Sequence, residues 1–62
     1  MSATFTEINT GATLLLDKNN IQEAYNLEDF CQLVMIDQTI YDVAGPWSYV
    51  LNQIQGGPPI GP

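Results

Sequence analysis

Residues 27–43 read LEDFCQLVMIDQTIYDV, and ten of these seventeen residues are apolar. No other stretch of the chain is as rich in large side chains, so we expect it to supply the core. Its apolar residues recur at intervals of three and four, which is typical of a helix with a broad apolar face. The pattern comprises Leu27, Phe30, Cys31 and Val34, with Leu33, Ile36 and Ile40 on an adjoining face. The spacing therefore predicts a helix from residue 27 to about residue 41.

Two details of this first helix stay open. Asn20 followed by Glu23, and Asn26 followed by Asp29, each fit a capping box, and the second start is the better supported. At the other end, residues 39–43 are rich in types that prefer strands, so a strand competes with the last helical turn. We favour the helix because the three-to-four spacing continues to Val43.

A second, shorter helix is expected after Gly45 and Pro46, which end the first one. The apolar residues that follow are spaced i, i+3, i+4 and i+7, as on one face of a two-turn helix. They are Trp47, Val50, Leu51 and Ile54. The pair Gly56-Gly57 closes this helix.

The two ends of the chain look extended. Residues 3–9 and 12–16 are short strand candidates around Asn9-Thr10-Gly11, which predicts a hairpin. An extended arm that joins a neighbour's sheet is the alternative. Residues 56–62 read GGPPIGP, and their three prolines exclude a helix or a central strand. We expect an extended, partly polyproline-like tail.

The elements add up to one small α+β domain. Residues 1–19 form the hairpin or arm, residues 20–55 a helical core with two helices, and residues 56–62 the extended tail. A mainly α protein is the alternative.

Length and composition make a lone domain of this kind only marginally stable. A chain of 62 residues buries little surface, and small domains usually need a disulfide, a metal or association. Cys31 is the only cysteine and there is no histidine, so neither an internal disulfide nor a zinc site is expected. Association with a partner remains.

The excess of acidic over basic residues excludes some classes of binding partner. Lys18 is the only basic residue against seven carboxylates, for a net charge of −6. A single lysine cannot neutralise a row of phosphates. The charge balance therefore argues against direct contact with nucleic acid or an anionic membrane. Only 13% of residues are charged, which leaves neutral surface for a protein contact.

Location follows from the same inventory. The N-terminal residues lack a basic segment followed by an apolar run, so a secretory signal is not expected. No apolar run is long enough to span a bilayer. A single thiol suits a reducing compartment, and we expect a cytoplasmic or virion protein.

No enzyme chemistry is expected. General acid–base catalysis most often uses histidine, which is absent. Glu28 and Asp29 are adjacent and would diverge by about 100° on a helix. Cys31 lies on the apolar stripe, as a buried free cysteine usually does. We therefore predict no catalytic residue, cofactor, metal or small-molecule substrate.

Protein binding is the function that remains. Trp47 is a candidate anchor, because tryptophan is enriched at binding hot spots. A core position packed on Phe30 and Val34 is the equally favoured alternative for Trp47. The full set of candidate contact residues is Trp47, Tyr49, Phe30, Ile60, Pro58 and Pro59. The first hypothesis is an accessory or structural subunit that binds a larger assembly or copies of itself. Virion cement and connector proteins have this character.

Two further hypotheses stay open. Residues Leu51, Ile54, Gly56 and Gly57 resemble the double-glycine leader family, and residues 25–30 resemble short motifs read by peptide-modifying enzymes. This resemblance implies a precursor peptide cut after Gly57, with residues 58–62 as the product. The third hypothesis is a small phage-encoded inhibitor that binds a host enzyme through its acidic face.

Overall fold

The computed structural model describes residues 2–55 of the chain, which form five strands and one α-helix. A short 3-10 helix at Lys18–Asn20 joins the second and third strands. The elements are β1 (Ser2–Thr6), β2 (Thr13–Asp17), β3 (Ile21–Asn26), β4 (Cys31–Met35), β5 (Ile40–Val43) and α1 (Trp47–Gln55). Strands β1 and β2 form one antiparallel sheet, and β3, β4 and β5 form a second in that order.

The N-terminal hairpin pairs β1 with β2. Phe5 lies opposite Leu14, and the β1 residues that face inward are buried while their neighbours are exposed. This alternation is expected of a sheet with one covered face. The turn is closed where the N–H of Glu7 donates to the carbonyl of Ala12 at 2.8 Å. Residues 3–16 are therefore paired within the chain, as the hairpin and not as a free arm.

The second sheet is centred on β4, which pairs with β3 on one side and β5 on the other. Cys31, Leu33 and Met35 are buried, and the two residues between them are half-buried. Strand β4 is thus apolar on its inner face and only partly covered on its outer face.

The two sheets meet where β1 ends. Glu7 bridges Val43 in the antiparallel sense, and the N–H of Ala44 donates to the carbonyl of Thr6 at 2.8 Å. The N–H of Ile8 donates to the carbonyl of Asp42 at 2.9 Å. These bonds set β5 beside the end of β1.

Helix α1 covers part of the interior and is tied to β1. Its Val50 is fully buried in the core. Two polar side chains of the helix form hydrogen bonds with the backbone N–H and carbonyl of Thr4. Gln53 Oε1 accepts from the Thr4 N–H at 2.9 Å, and the Tyr49 hydroxyl donates to the Thr4 carbonyl at 2.8 Å. The buried core consists of Ala3, Phe5, Cys31, Leu33, Val43 and Val50.

The predicted α+β fold with two helices is wrong, and so is its mainly α alternative. The structure is mostly β, with one helix among the described residues. Residues 27–41 form turns and the strands β4 and β5 instead of the first helix. Only the second predicted helix is present, as α1.

The helix prediction failed because the apolar run of residues 27–43 fits both the helical period of about 3.6 residues and the strand period of about 2. Buried residues alternate along β4, but the intervening positions also carry apolar side chains, so the alternation is hidden. The turn between β4 and β5 is hidden as well. Gln38 takes the left-handed conformation there, with φ of 79°, at a position where glycine or asparagine would mark a turn.

The two predicted helix caps also have other roles. Asn20 ends the 3-10 helix, and Asn26 ends β3 before the β3–β4 turn. The cap that does form is Asp17, whose side chain accepts from the N–H of Asn19 at 2.9 Å. The extended tail predicted for residues 56–62 lies outside the described residues.

Candidate partner-binding surfaces

Three of the predicted contact residues lie within the described chain, and the structure brings two of them together. Phe30 and Trp47 both line a depression of about 220 Å³ between the β3–β4 turn and the start of α1. Tyr49 lies elsewhere, with its hydroxyl bonded to the backbone of β1. Ile60, Pro58 and Pro59 lie outside the described residues.

The depression lined by Phe30 and Trp47 offers few groups suited to catalysis. Its turn is closed by the Leu27 N–H, which donates to the Phe30 carbonyl at 2.9 Å. Glu28 and Asp29 lie at its rim. Cys31 lies at its inner side, and burial raises the pKa of this thiol. A raised pKa keeps the thiol protonated at neutral pH, so it is a poor nucleophile.

A larger apolar surface lies on the outside of the three-stranded sheet. In the observed register Val34 lies between Glu23 and Ile40, and Gln32 lies between Tyr25 and Asp42. Residues paired in this way point to the same side, opposite to the buried Leu33. We call these six residues, with Ile36 directly after β4, the outer face.

The apolar members of the outer face are well exposed. Ile36 and Ile40 each keep 58% of their surface accessible, and Tyr25 keeps 44%. Val34 is half-buried between its neighbours. The sheet face that points away from the core is therefore more than half apolar, and no described element covers it.

The polar members of the outer face bond to one another. The hydroxyl of Tyr25 donates to the carboxylate of Glu23. The amide of Gln32 donates to Asp42 Oδ1 at 3.1 Å. Both side-chain pairs are thus hydrogen-bonded within the chain.

A second depression, of about 260 Å³, opens beside the outer face at the β4–β5 turn. It is lined by Asn20, Met35, Ile36, Asp37, Thr39 and Tyr41. The N–H of Ile36 donates to the carbonyl of Asn20 at 2.8 Å, which fixes this corner. Hydrogen bonding from Thr39 lowers the pKa of the Asp37 carboxyl, so the rim of the depression carries a negative charge at neutral pH.

The sequence patterns above do not predict the outer face. The helix prediction groups Ile36 and Ile40 with Leu33 on one apolar face, whereas in the structure Leu33 is buried and both isoleucines are exposed. The signal that could have found the face is the alternation Gln32, Val34, Ile36, which a strand reading of residues 31–36 turns outward. The turn that separates β4 from β5 had to be recognised first.

Charge is unevenly distributed over these surfaces. Glu23, Asp37 and Asp42 lie on or beside the outer face. The hairpin strands β1 and β2 carry one carboxylate, Asp17, at the end of β2. In the hairpin turn a hydrogen bond from the Thr10 side chain lowers the pKa of Glu7. The outer face is thus acidic and the hairpin is nearly neutral.

Residues 2–55 contain neither a metal-binding cluster nor a membrane-spanning helix. No group of three or more His, Cys, Asp or Glu side chains is placed to hold a metal ion. No helix in this part of the chain has both the length and the apolar character needed to cross a membrane.

Comparison with protein-family models, with curated protein sequences and with solved structures gave no match for this chain.

Proposed function

We propose that the protein is a non-enzymatic binding subunit that docks on a larger protein through its outer face, as an accessory or structural component of an assembly. The observation that carries the proposal is the uncovered apolar surface of Tyr25, Val34, Ile36 and Ile40. An antiparallel sheet with one solvated face normally shows polar side chains there. An exposed apolar patch with a polar rim is typical of a protein contact.

The charges around the outer face define the partner's chemistry. Glu23, Asp37 and Asp42 give the patch an acidic rim. A second copy of this chain would bring two sets of these carboxylates together, which is unfavourable. The fitting partner is a different protein, with exposed apolar side chains flanked by lysine or arginine.

Two features favour tight docking at this surface. The side-chain pairs Tyr25–Glu23 and Gln32–Asp42 are already hydrogen-bonded, so covering them leaves fewer polar groups without partners. The depression at the β4–β5 turn offers space for one large aliphatic or aromatic side chain of the partner. Anchors seated in such pockets dominate many interfaces.

In this proposal the protein works where its assembly resides, in the cytoplasm or in a virion. A reducing compartment is consistent with its single, buried and unpaired cysteine. A virion cement or connector role is one form that such a subunit takes.

The test compares two lysine substitutions that change the net charge equally. Ile40→Lys places a cation among the apolar side chains of the outer face, and Thr6→Lys places one on the exposed outward side of β1. Tagged wild-type protein is recovered from its own source cells, and the bound protein is identified and purified. We expect the Kd for that protein to rise at least tenfold with Ile40→Lys.

The control variant Thr6→Lys should bind within about twofold of the wild type, since lone surface changes have small effects. Circular dichroism melts of both variants establish that they fold. Equal affinity of the two variants, or a wild type that recovers no stoichiometric partner, would contradict the proposal.

A further inference from the structure

Strand β2 has a backbone edge that faces away from β1. The Thr4 N–H and carbonyl are bonded to Gln53 and Tyr49 of α1, so they do not bond to Leu15, the residue opposite Thr4. In an antiparallel pair the two opposed residues either bond to each other or both point outward. Leu15 therefore directs its own N–H and carbonyl to the outer edge of β2, which is the last strand of its sheet.

This edge lacks the features that normally keep sheet edges from pairing. The residues before Asp17 in β2 are uncharged, the strand holds no proline, and its register with β1 is regular. Leu15 is 69% exposed. By contrast β3, one of the two outer strands of the other sheet, has a register irregularity between Ile21 and Glu23 and carries a carboxylate. Charges and bulges are the usual protection of an edge.

We propose that β2 is a self-association site, at which a second copy of this chain adds its own β2 in antiparallel fashion about a two-fold axis at Leu15. In this register Leu15 lies opposite the partner's Leu15, and the two exchange a pair of reciprocal backbone hydrogen bonds. Leu14 lies opposite the partner's Leu16. The two hairpins then form one continuous four-stranded sheet.

Strand β2 is suited to pair with a copy of itself because the sequence TLLLD is self-complementary in an antiparallel register centred on Leu15. Leucine meets leucine at all three central positions, so each apolar side chain gains an apolar cross-strand neighbour. An isologous contact of this kind closes after two copies and does not propagate. A strand from another protein would need the same uncharged, aliphatic pattern by chance.

The charge of the chain does not oppose contact at this edge. Two copies carrying −6 each repel, and the uncharged centre of β2 lets them meet without setting carboxylates opposite each other. Lys18, the chain's only basic residue, directly follows β2. Because Lys18 begins the 3-10 helix, the ladder between the two copies ends at Asp17.

The site is separate from the proposed function, since it uses no residue of the outer face. A five-residue ladder buries less than a standard interface, so we expect a dimer that depends on concentration. Added salt should strengthen it, because salt screens the repulsion between two acidic chains. The complex with a basic partner at the outer face should weaken under the same change.

The experiment is sedimentation equilibrium of the full chain from about 10 μM to about 1 mM, a range that suits a small interface. The wild type should approach twice the monomer mass. Leu15→Lys sets two cations opposite each other at the axis and should remain monomeric. Ile40→Lys makes the same charge change on the outer face and should dimerise like the wild type.

A second variant tests the backbone itself. The chain is short enough for chemical synthesis, and an N-methyl group on Leu15 removes the donor at the seam while keeping the side chain. This variant should be monomeric. A wild type that is monomeric at the highest concentration, or a dimer that persists in Leu15→Lys and with N-methyl-Leu15, would overturn the proposal. Loss of the dimer in Ile40→Lys would overturn it too, by moving self-association to the outer face.

Discussion

At the scale of single residues, burial and not residue type decides what a side chain contributes. Leu33 and Leu15 are both leucines at the middle position of a five-residue strand. Leu33 is completely buried at the centre of β4, where two strands flank it. Leu15 is 69% exposed on a strand with one neighbour. The two positions give a matched comparison.

Truncating these two leucines should have very different effects on stability. We expect Leu33→Ala to lower the free energy of unfolding by about 2–5 kcal/mol, because it leaves a cavity in the core. Leu15→Ala should lower it by less than about 0.5 kcal/mol. Urea unfolding followed by circular dichroism, at a concentration where the chain is monomeric, measures both. Similar losses in the two variants would show that the core lies elsewhere.

At the scale of elements, two turns set the strand pairing, and each needs one residue with positive φ. Gly11 has φ of 75° in the β1–β2 turn, and Gln38 has φ of 79° in the β4–β5 turn. The second turn is fixed where the Met35 carbonyl accepts from the Gln38 N–H at 2.9 Å. Glycine takes this conformation freely, whereas a residue with a Cβ is strained there.

Exchanging residue types at these two turns should change stability in opposite directions. We expect Gln38→Gly to raise the free energy of unfolding by about 0.5–1 kcal/mol, since it relieves the strained conformation. Gly11→Ala should lower it by about 1 kcal/mol. A Cβ at Gly11 would meet no atom within 4 Å, so the loss comes from the backbone alone. Chemical denaturation of both variants measures the effect, and changes of the same sign would count against it.

At the scale of the whole molecule, charge opposes compactness. Seven carboxylates and one lysine give −6 on 62 residues, and the fold brings these charges close together. Self-repulsion lowers the stability of the compact state, and salt screens it. The two proposed contacts respond to the same charge in different ways. The neutral β2 edge suits a like-charged copy, and the acidic outer face suits a basic partner.

Salt should therefore stabilise the monomer. We expect the melting temperature to rise by a few degrees, about 2–5 °C, between about 20 mM and 500 mM sodium chloride. A double variant, Glu28→Gln with Asp29→Asn, removes two exposed carboxylates from the β3–β4 turn and should gain less from salt. Circular dichroism melts of dilute protein test this. A melting temperature that falls with salt in the wild type would be inconsistent with repulsion.

Part of this structure could be predicted because the signal was local. Gly11 marks the β1–β2 turn, and the spacing of Trp47, Val50, Leu51 and Ile54 marks α1. In each case residues within a few positions specify the geometry. Of the candidate site, the structure places Phe30 and Trp47 at one depression, and their role as contact residues stays a prediction. The outer face could not be found, because it exists only once β4 and β5 are recognised as strands.

The sequence by itself determined the acidic charge, the absence of an internal disulfide and the local elements at both ends of the fold. Only the tertiary structure decided that residues 27–43 form two strands with their turns, and which of their side chains are buried. The physical reason is that strands are completed by distant partners. The backbone of Thr4 is bonded by Gln53, 49 residues away, and β4 is covered by elements from both ends of the chain. Whether a side chain such as Ile40 is exposed or buried depends on those distant partners. The residues next to it in sequence do not indicate which partners it will have.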